Sequence, residues 1–413
     1  MAVFHTSRLC AAALVLLVAS PALAIDVKYG VGARTELRTR TPLPGDQGTG
    51  ITGDLELDPT LDLALLFDTS ALAMQYAPTL IWREPQTGGR LLPLQRGRIG
   101  FTQKWSKALL TLTEDGAWGL ADIGALRNPD DPSQVGQVNA VQTLGGVPYL
   151  RSATSFTLDG QVSNRVSLGG GAGFAVSGSP DDGTGTTNAN AMPLQYGPSG
   201  SARVRWLATR IDALTTQSTV FFSRFLTGQE QLVSTLTESW DRQLSRTWSI
   251  SLAGGAALTR EVVTATQMQG TPGTYIEILP VGSASSSWGG KFGTQTARLG
   301  VSARLAPFAD RFTGFVYERL EGRVQGDWKP GRDWAVTAAG SGALAVAIGR
   351  AEQQGDRLVS GEAAVTWTAR QWLVLQASAR VLWTEQPRLG IPGQVQAVGV
   401  VSVTVREQDS VGW

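Results

Sequence analysis

The chain has 413 residues, 17% of them charged, and a formal net charge of +1, so its charge balance gives no reason to expect nucleic acid or a strongly acidic partner. That length exceeds one ordinary small domain, but a large closed β structure can hold it as one. The only cysteine, Cys10, and the only histidine, His5, both lie in the first ten residues.

Those residues open a segment with its own logic. "MAVFHTSR" is short and basic, "LCAAALVLLVAS" is apolar, and Ala22-Leu23-Ala24 forms a small-x-small site. This is the layout of a secretory signal peptide cleaved after Ala24, with an apolar core too short for a helical span. Cys10 begins the apolar run rather than following it, so it is not placed as a lipid-anchor site. Residues 25–413 are then one exported domain without cysteine or histidine. Disulfides, thiolate nucleophiles, histidine acid–base catalysis and His- or Cys-ligated metals are excluded from its chemistry. No helix or tight loop gathers two carboxylates into a catalytic pair. The expectation is a non-enzyme with no cofactor and no metal.

From Ile25 the chain alternates. In "IDVKYGVGARTELRTR" (25–40), Ile25, Val27, Tyr29, Val31 and Leu37 share one face, while Asp26, Lys28, Arg34, Glu36 and Arg38 share the other. "ITGDLELDPTLDLALLFD" (51–68) repeats the pattern, with Leu55, Leu57 and Leu61 on one face and Asp54, Glu56, Asp58 and Asp62 on the opposite one. Strands of this length are rare in soluble sheets but suit a tilted bilayer crossing. The same rule predicts strands near 70–84, 91–105, 108–120, 148–162, 166–176, 192–209, 213–226, 230–242, 247–266, 274–286, 292–306, 312–327, 334–350, 357–368, 372–385 and 394–407. The total is about eighteen, with sixteen the nearest alternative because 166–176, 230–242 and 274–286 alternate least clearly.

The connections alternate as well. Short ones fall near 68–70, 106–107, 163–165, 210–212, 243–246, 329–333 and 369–371. Longer, turn-rich ones fall at 121–147, 177–191, 267–273, 351–356 and 386–393. Trp105, Trp206, Trp240, Trp248, Trp288, Trp328, Trp334, Trp367 and Trp372 lie beside the short turns, and Trp82, Trp118 and Trp383 near the opposite strand ends. Indole settles where hydrocarbon meets headgroups, so these residues read as two membrane-interface girdles. All five lysines, Lys28, Lys104, Lys107, Lys291 and Lys329, lie near the short-turn end.

If the apolar face meets lipid, the polar face lines the interior. That pore-lining set is Arg34, Arg38, Asp54, Glu56, Asp58, Asp62, Arg96, Arg98, Arg203, Arg205, Arg298, Arg304, Arg319, Glu321, Arg323, Glu362 and Arg380, with Glu36 beside it. The first hairpin should bring Arg34 and Arg38 near the acidic row of the second strand. So many charges imply a water-filled interior. Replacing Leu61 or Val401 with Arg is expected to impair assembly, and Arg319→Ala to alter ion selectivity with assembly intact. Two motifs are declined: "GGGAGF" (169–174) continues the alternation with no helix after it, and "PDDGTGT" lacks calcium-loop spacing.

The signal peptide, alternating strands, aromatic-flanked turns and terminal Trp413 together resemble the bacterial outer-membrane β-barrel proteins. The resemblance implies an all-β, closed antiparallel transmembrane barrel in the outer membrane of a Gram-negative bacterium. It further implies short periplasmic turns, longer extracellular loops, a lipid surround and insertion by the barrel-assembly machinery. "QDSVGW" departs from the pattern by separating the clear alternation of the last strand from Trp413. The strand count and the absence of a plug domain also resemble the stand-alone barrels of exopolysaccharide export, which implies a polysaccharide cargo and a periplasmic export protein as partners. A diffusion porin and a structural or adhesive surface barrel stay open beside that reading.

Overall fold

The computed structural model describes residues 24–39, 51–83, 90–121, 147–180, 194–225, 228–263, 273–309, 316–347, 357–386 and 391–412. The 1–23 segment, Trp413 and most of the long connections, including 122–146 and "PDDGTGT" after Pro180, lie outside them. Strand formation follows the alternation: β1 is Ala24–Thr39, β2 Ile51–Leu66, β3 Ser70–Tyr76, β4 Thr79–Arg83, β5 Arg90–Lys104 and β6 Ala108–Ala121. Next come β7 Val147–Gln161, β8 Val166–Gly178, β9 Gln195–Leu207, β10 Asp212–Phe225, β11 Glu230–Gln243, β12 Trp248–Val263 and β13 Gly273–Phe292. The last six are β14 Gln295–Ala309, β15 Val316–Lys329, β16 Trp334–Ala347, β17 Arg357–Arg370, β18 Leu373–Gln386 and β19 Ile391–Gly412.

Apart from β3 and β4, which both pair with β2 and β5, each strand pairs antiparallel with its neighbours in sequence, and β1 pairs with both β2 and β19, so the sheet closes and has no free edge. Strands β3 and β4 are halves of one stave. Leu61 faces Tyr76 and Leu57 faces Leu80, a single unbroken register that sets Pro59 opposite Pro78. Neither proline can donate to the ladder, and the stave is interrupted there. The nineteen segments therefore make eighteen staves.

Following Val31 from register to register around the wall returns it to β1 displaced by about 22 residues. With eighteen strands about 4.8 Å apart, that stagger tilts them by about 40° and gives a backbone diameter of roughly 35 Å. A barrel of that width holds an aqueous interior.

The connections after β2, β5, β7, β9, β11, β13, β15 and β17, each of four residues or fewer, lie at one end with Ala24 and Gly412, whereas the four-residue β10–β11 and β18–β19 connections lie at the other with the long loops. Gly293-Thr294 is a two-residue turn between β13 and β14. Gly293 has φ 61°, a left-handed conformation that a two-residue hairpin needs at its first central position and that glycine supplies without steric cost. Two spans differ most from the sequence expectation. Strand β13 runs on to Phe292 rather than ending at 286, because Trp288 pairs with both Trp248 and Leu299. Strand β19 runs to Gly412, with Ala24 opposite Gly412, so "QDSVG" belongs to the closing strand rather than separating it from the C-terminus. Closure supplies a partner there even though the alternation has faded.

Candidate functional site

Register decides the two faces. Tyr29, Val31, Leu55, Leu57, Leu61, Val401 and Val405 all stand outward and well exposed. The residues between them point inward. On β1 and β2, Arg34 is paired with Glu56 by register and by a direct guanidinium–carboxylate hydrogen bond. Asp62 faces Lys28, and Asp58 faces Gly32. The backbone positions of Arg38 and Asp54 are described and lie on the same face, but their side chains lie outside the described set.

Around the rest of the wall, Arg96 and Arg98 on β5 face β6, where Asp115 pairs with Arg98 at 3.5 Å. On β9, Arg203 bonds Asp159 of β7 at 2.7 Å, and Arg205 shares its face. Arg298 faces Asp327 across β14 and β15. Farther along, Arg304 stands opposite Glu321, and Glu362 opposite Arg380.

Five of these residues, Arg304, Glu321, Arg323, Glu362 and Arg380, line one recess of about 290 Å³ with Arg319. At the level of Arg323 the register builds a continuous row: Ser251, Ser285, Ser302, Arg323, Ser341 and Ser360 face one another in turn across six strands. The Ser341 and Ser360 hydroxyls lie 2.6 Å apart. Except for Arg323 these side chains are short, and the row offers hydroxyl groups with one guanidinium among them.

The wall changes along the axis. Toward the long-loop end, inward residues such as Leu92, Leu94, Tyr149, Phe225, Gln231, Leu279, Tyr317 and Leu382 are buried. Toward the short-turn end, Arg98, Arg203 and Arg205 are exposed, as are Leu109 and Leu207. The water-accessible lumen therefore tapers outward. Arg319 belongs to the buried zone: it is 5% exposed, bonds Glu321 at 2.7 Å and lies over the Phe308 ring at 4.9 Å. The expectation that its removal leaves assembly untouched is corrected on this ground, because a buried ion pair loses a desolvated partner when one member goes.

The tryptophans sit on the outer face or at turns near the two ends. Trp82, Trp118 and Trp383 mark one level, and Trp105, Trp206, Trp240, Trp248, Trp288, Trp328, Trp334, Trp367 and Trp372 the other. Trp334 stacks on Trp367 at 5.6 Å. The Trp240 indole N–H donates to Asp212, which caps the β9–β10 turn by accepting from Thr209 and forms an ion pair with Arg242 at 3.8 Å.

Sequence reasoning missed several participants. Asp115 and Asp159 are the ion-pair partners of Arg98 and Arg203, and only the register reveals that. Glu114 breaks the alternation in the other direction. It stands on the outer face with Ile99, midway along β6, and its carboxylate accepts from the hydroxyls of Ser152 and Thr154. "GGGAGF" is strand interior in β8. A Cβ on Gly169 would come within 2.3 Å of Asp159 Oδ1 and 2.7 Å of Arg203 Nε, so this glycine clears space for the ion pair.

A closed barrel of eighteen tilted strands, apolar outside, charged inside and belted by tryptophan, with only short turns at one end and every long loop at the other, is a transporter-type β-barrel of the Gram-negative outer membrane. Within that class the match is specific: a family model covers residues 16–409, and the chain belongs to the EpsX exopolysaccharide export family. No curated protein matches. Among solved structures, the chain is similar to OccAB3 of Acinetobacter baumannii, at 8% identity and TM-score 0.46 over 93% of this chain and 99% of that one. It is also similar to the outer membrane protein opdK of Pseudomonas aeruginosa, at 10% identity and TM-score 0.44 over 93% and 99%. Strand count and closure rest on the register described above, independently of these likenesses.

Proposed function

We propose that this barrel is the outer-membrane conduit through which an exopolysaccharide leaves the cell, receiving the chain from a periplasmic export protein. Residues 1–24 direct its own export and are then removed. Membership of an exopolysaccharide export family carries the reading, and the chemistry of the wall supports it. A hydrated glycan is a flexible polyol. The serine row from Ser251 to Ser360, interrupted by Arg323, offers it donors and acceptors that substitute for water one hydrogen bond at a time. The inward charges from Arg34 to Arg380 keep that path wet, and most have an opposite charge across the strand, so the wall would not hold a passing chain tightly.

The test is deletion of the gene followed by measurement of polysaccharide inside and outside the outer membrane. The expected result is loss of the extracellular polymer with periplasmic accumulation, restored by the intact gene. Unchanged extracellular polymer refutes export. The open short-turn half favours a diffusion porin as a second reading. Steady, large single-channel steps from the purified barrel, together with unimpaired polysaccharide release by the deletion strain, would establish that reading instead.

A further inference from the structure

We propose that the periplasmic mouth of the lumen, where β5, β6, β7, β8 and β9 meet, is a binding site for carboxylate-bearing sugar units. This rests on the export reading and assigns its cargo a chemical class.

The site is a cavity of about 570 Å³ lined by Lys104, Trp105, Lys107, Arg165, Arg203 and Arg205. Five cations surround a single carboxylate, Asp159, and that carboxylate is already engaged by Arg203 at 2.7 Å. Among the described residues, Lys104, Lys107, Arg165 and Arg205 have no carboxylate partner. Elsewhere on the wall Arg34, Arg98 and Arg319 each have an acid within reach and Arg298, Arg304 and Arg380 face one across the strand, so that only single cations such as Arg96 and Arg323 face none. The cation excess is therefore local, and it faces water in a concave site, where a field of one sign concentrates counter-ions.

The Arg203–Asp159 pair is a positioned feature. It occupies the space that Gly169 leaves by lacking a Cβ, and it holds the guanidinium at the wall beside Arg205. Apolar groups complete the cavity. Trp105 is 49% exposed, Leu109 42% and Leu207 38%, and the register turns both leucines toward the interior rather than toward lipid. Exposed apolar and aromatic surface beside unpaired guanidinium groups matches the two sides of an acidic sugar ring: C–H faces that stack, and a carboxylate that takes charge-assisted hydrogen bonds. A neutral glycan would leave the cations unused. A lipid headgroup cannot reach inward-facing residues.

The experiment is titration calorimetry of the full-length barrel in detergent with hexagalacturonate, maltohexaose and a glutamate hexamer. Hexagalacturonate should bind, maltohexaose should not, and the glutamate hexamer should bind more weakly because it offers charge without ring faces. Arg205→Gln combined with Arg165→Gln should weaken hexagalacturonate about tenfold, whereas Arg332→Gln, on the β15–β16 turn away from this cavity, should leave binding unchanged. Folding of each variant is verified by its heat-dependent gel mobility. Raising the salt should weaken the interaction in the wild type. The proposal is overturned if hexagalacturonate does not bind the wild type, or if the double variant binds it undiminished. Tighter binding of the glutamate hexamer also overturns it, and would mark the mouth as a dock for an acidic protein segment. Export can fail in the deletion strain, or persist, whatever the calorimetry shows, so the two readings fall separately.

Discussion

Val400 and Val401 are adjacent valines in the closing strand, and their sequence does not say which one faces lipid. The register does. Val401 lies opposite Thr35 and Ala377 on the outer face, 62% exposed, while Val400 lies opposite Glu36 and Ser378 on the inner one. Val401 is six residues from Val395, which pairs with the girdle residue Trp383, so it sits well inside the hydrocarbon. An arginine there would place a guanidinium near the bilayer midplane, at a cost of about 2–4 kcal/mol. At about 1.4 kcal/mol per decade, that lowers the folding equilibrium roughly 30- to 700-fold. The same substitution at Val400 puts the charge in the wet lumen at the register position facing Glu36, and should cost less than about 1 kcal/mol. Urea unfolding and refolding in lipid vesicles, followed by tryptophan emission, reads both variants. If Val401→Arg and Val400→Arg lose the same stability, or Val400→Arg loses more, the β18–β19–β1 register is wrong by one residue and the face assignment of the closing strand falls with it.

Three further outcomes follow from the geometry. Arg319→Ala strands the Glu321 carboxylate and empties the space over Phe308, so it should destabilise the barrel by about 1–3 kcal/mol; a wild-type urea midpoint would show that the ion pair contributes nothing. Gly255→Ala sets a Cβ 2.0 Å from the Leu236 carbonyl oxygen, which should part β11 from β12 and cut the folded yield, while Gly322→Ala meets nothing within 4 Å and serves as the control. Glu114→Leu removes a carboxyl from the lipid face and should raise stability by about 1 kcal/mol; a loss instead would mean that Ser152 and Thr154 need their acceptor or that another protein covers this patch.

Much of this protein is written locally. A strand shows its two faces to its own neighbours in sequence, so alternation alone indicated about eighteen strands, each with an apolar and a polar face and with tryptophan near the strand ends. Turn chemistry is local too, which is why the short connections were readable. What alternation cannot carry is the pairing of residues far apart in the chain. That Asp159 holds Arg203, that Arg98 meets Asp115, and that six small or basic residues from β12 to β17 fall in one row all depend on stagger, a property of the whole closed sheet. Burial followed the same division. Arg319 and Arg203 look alike in sequence, but one is packed against an aromatic ring and the other opens onto water, because their heights in the barrel differ. The closing strand makes the point most directly. Its last residues have no alternation to announce them, and they are strand because β1 lies beside them.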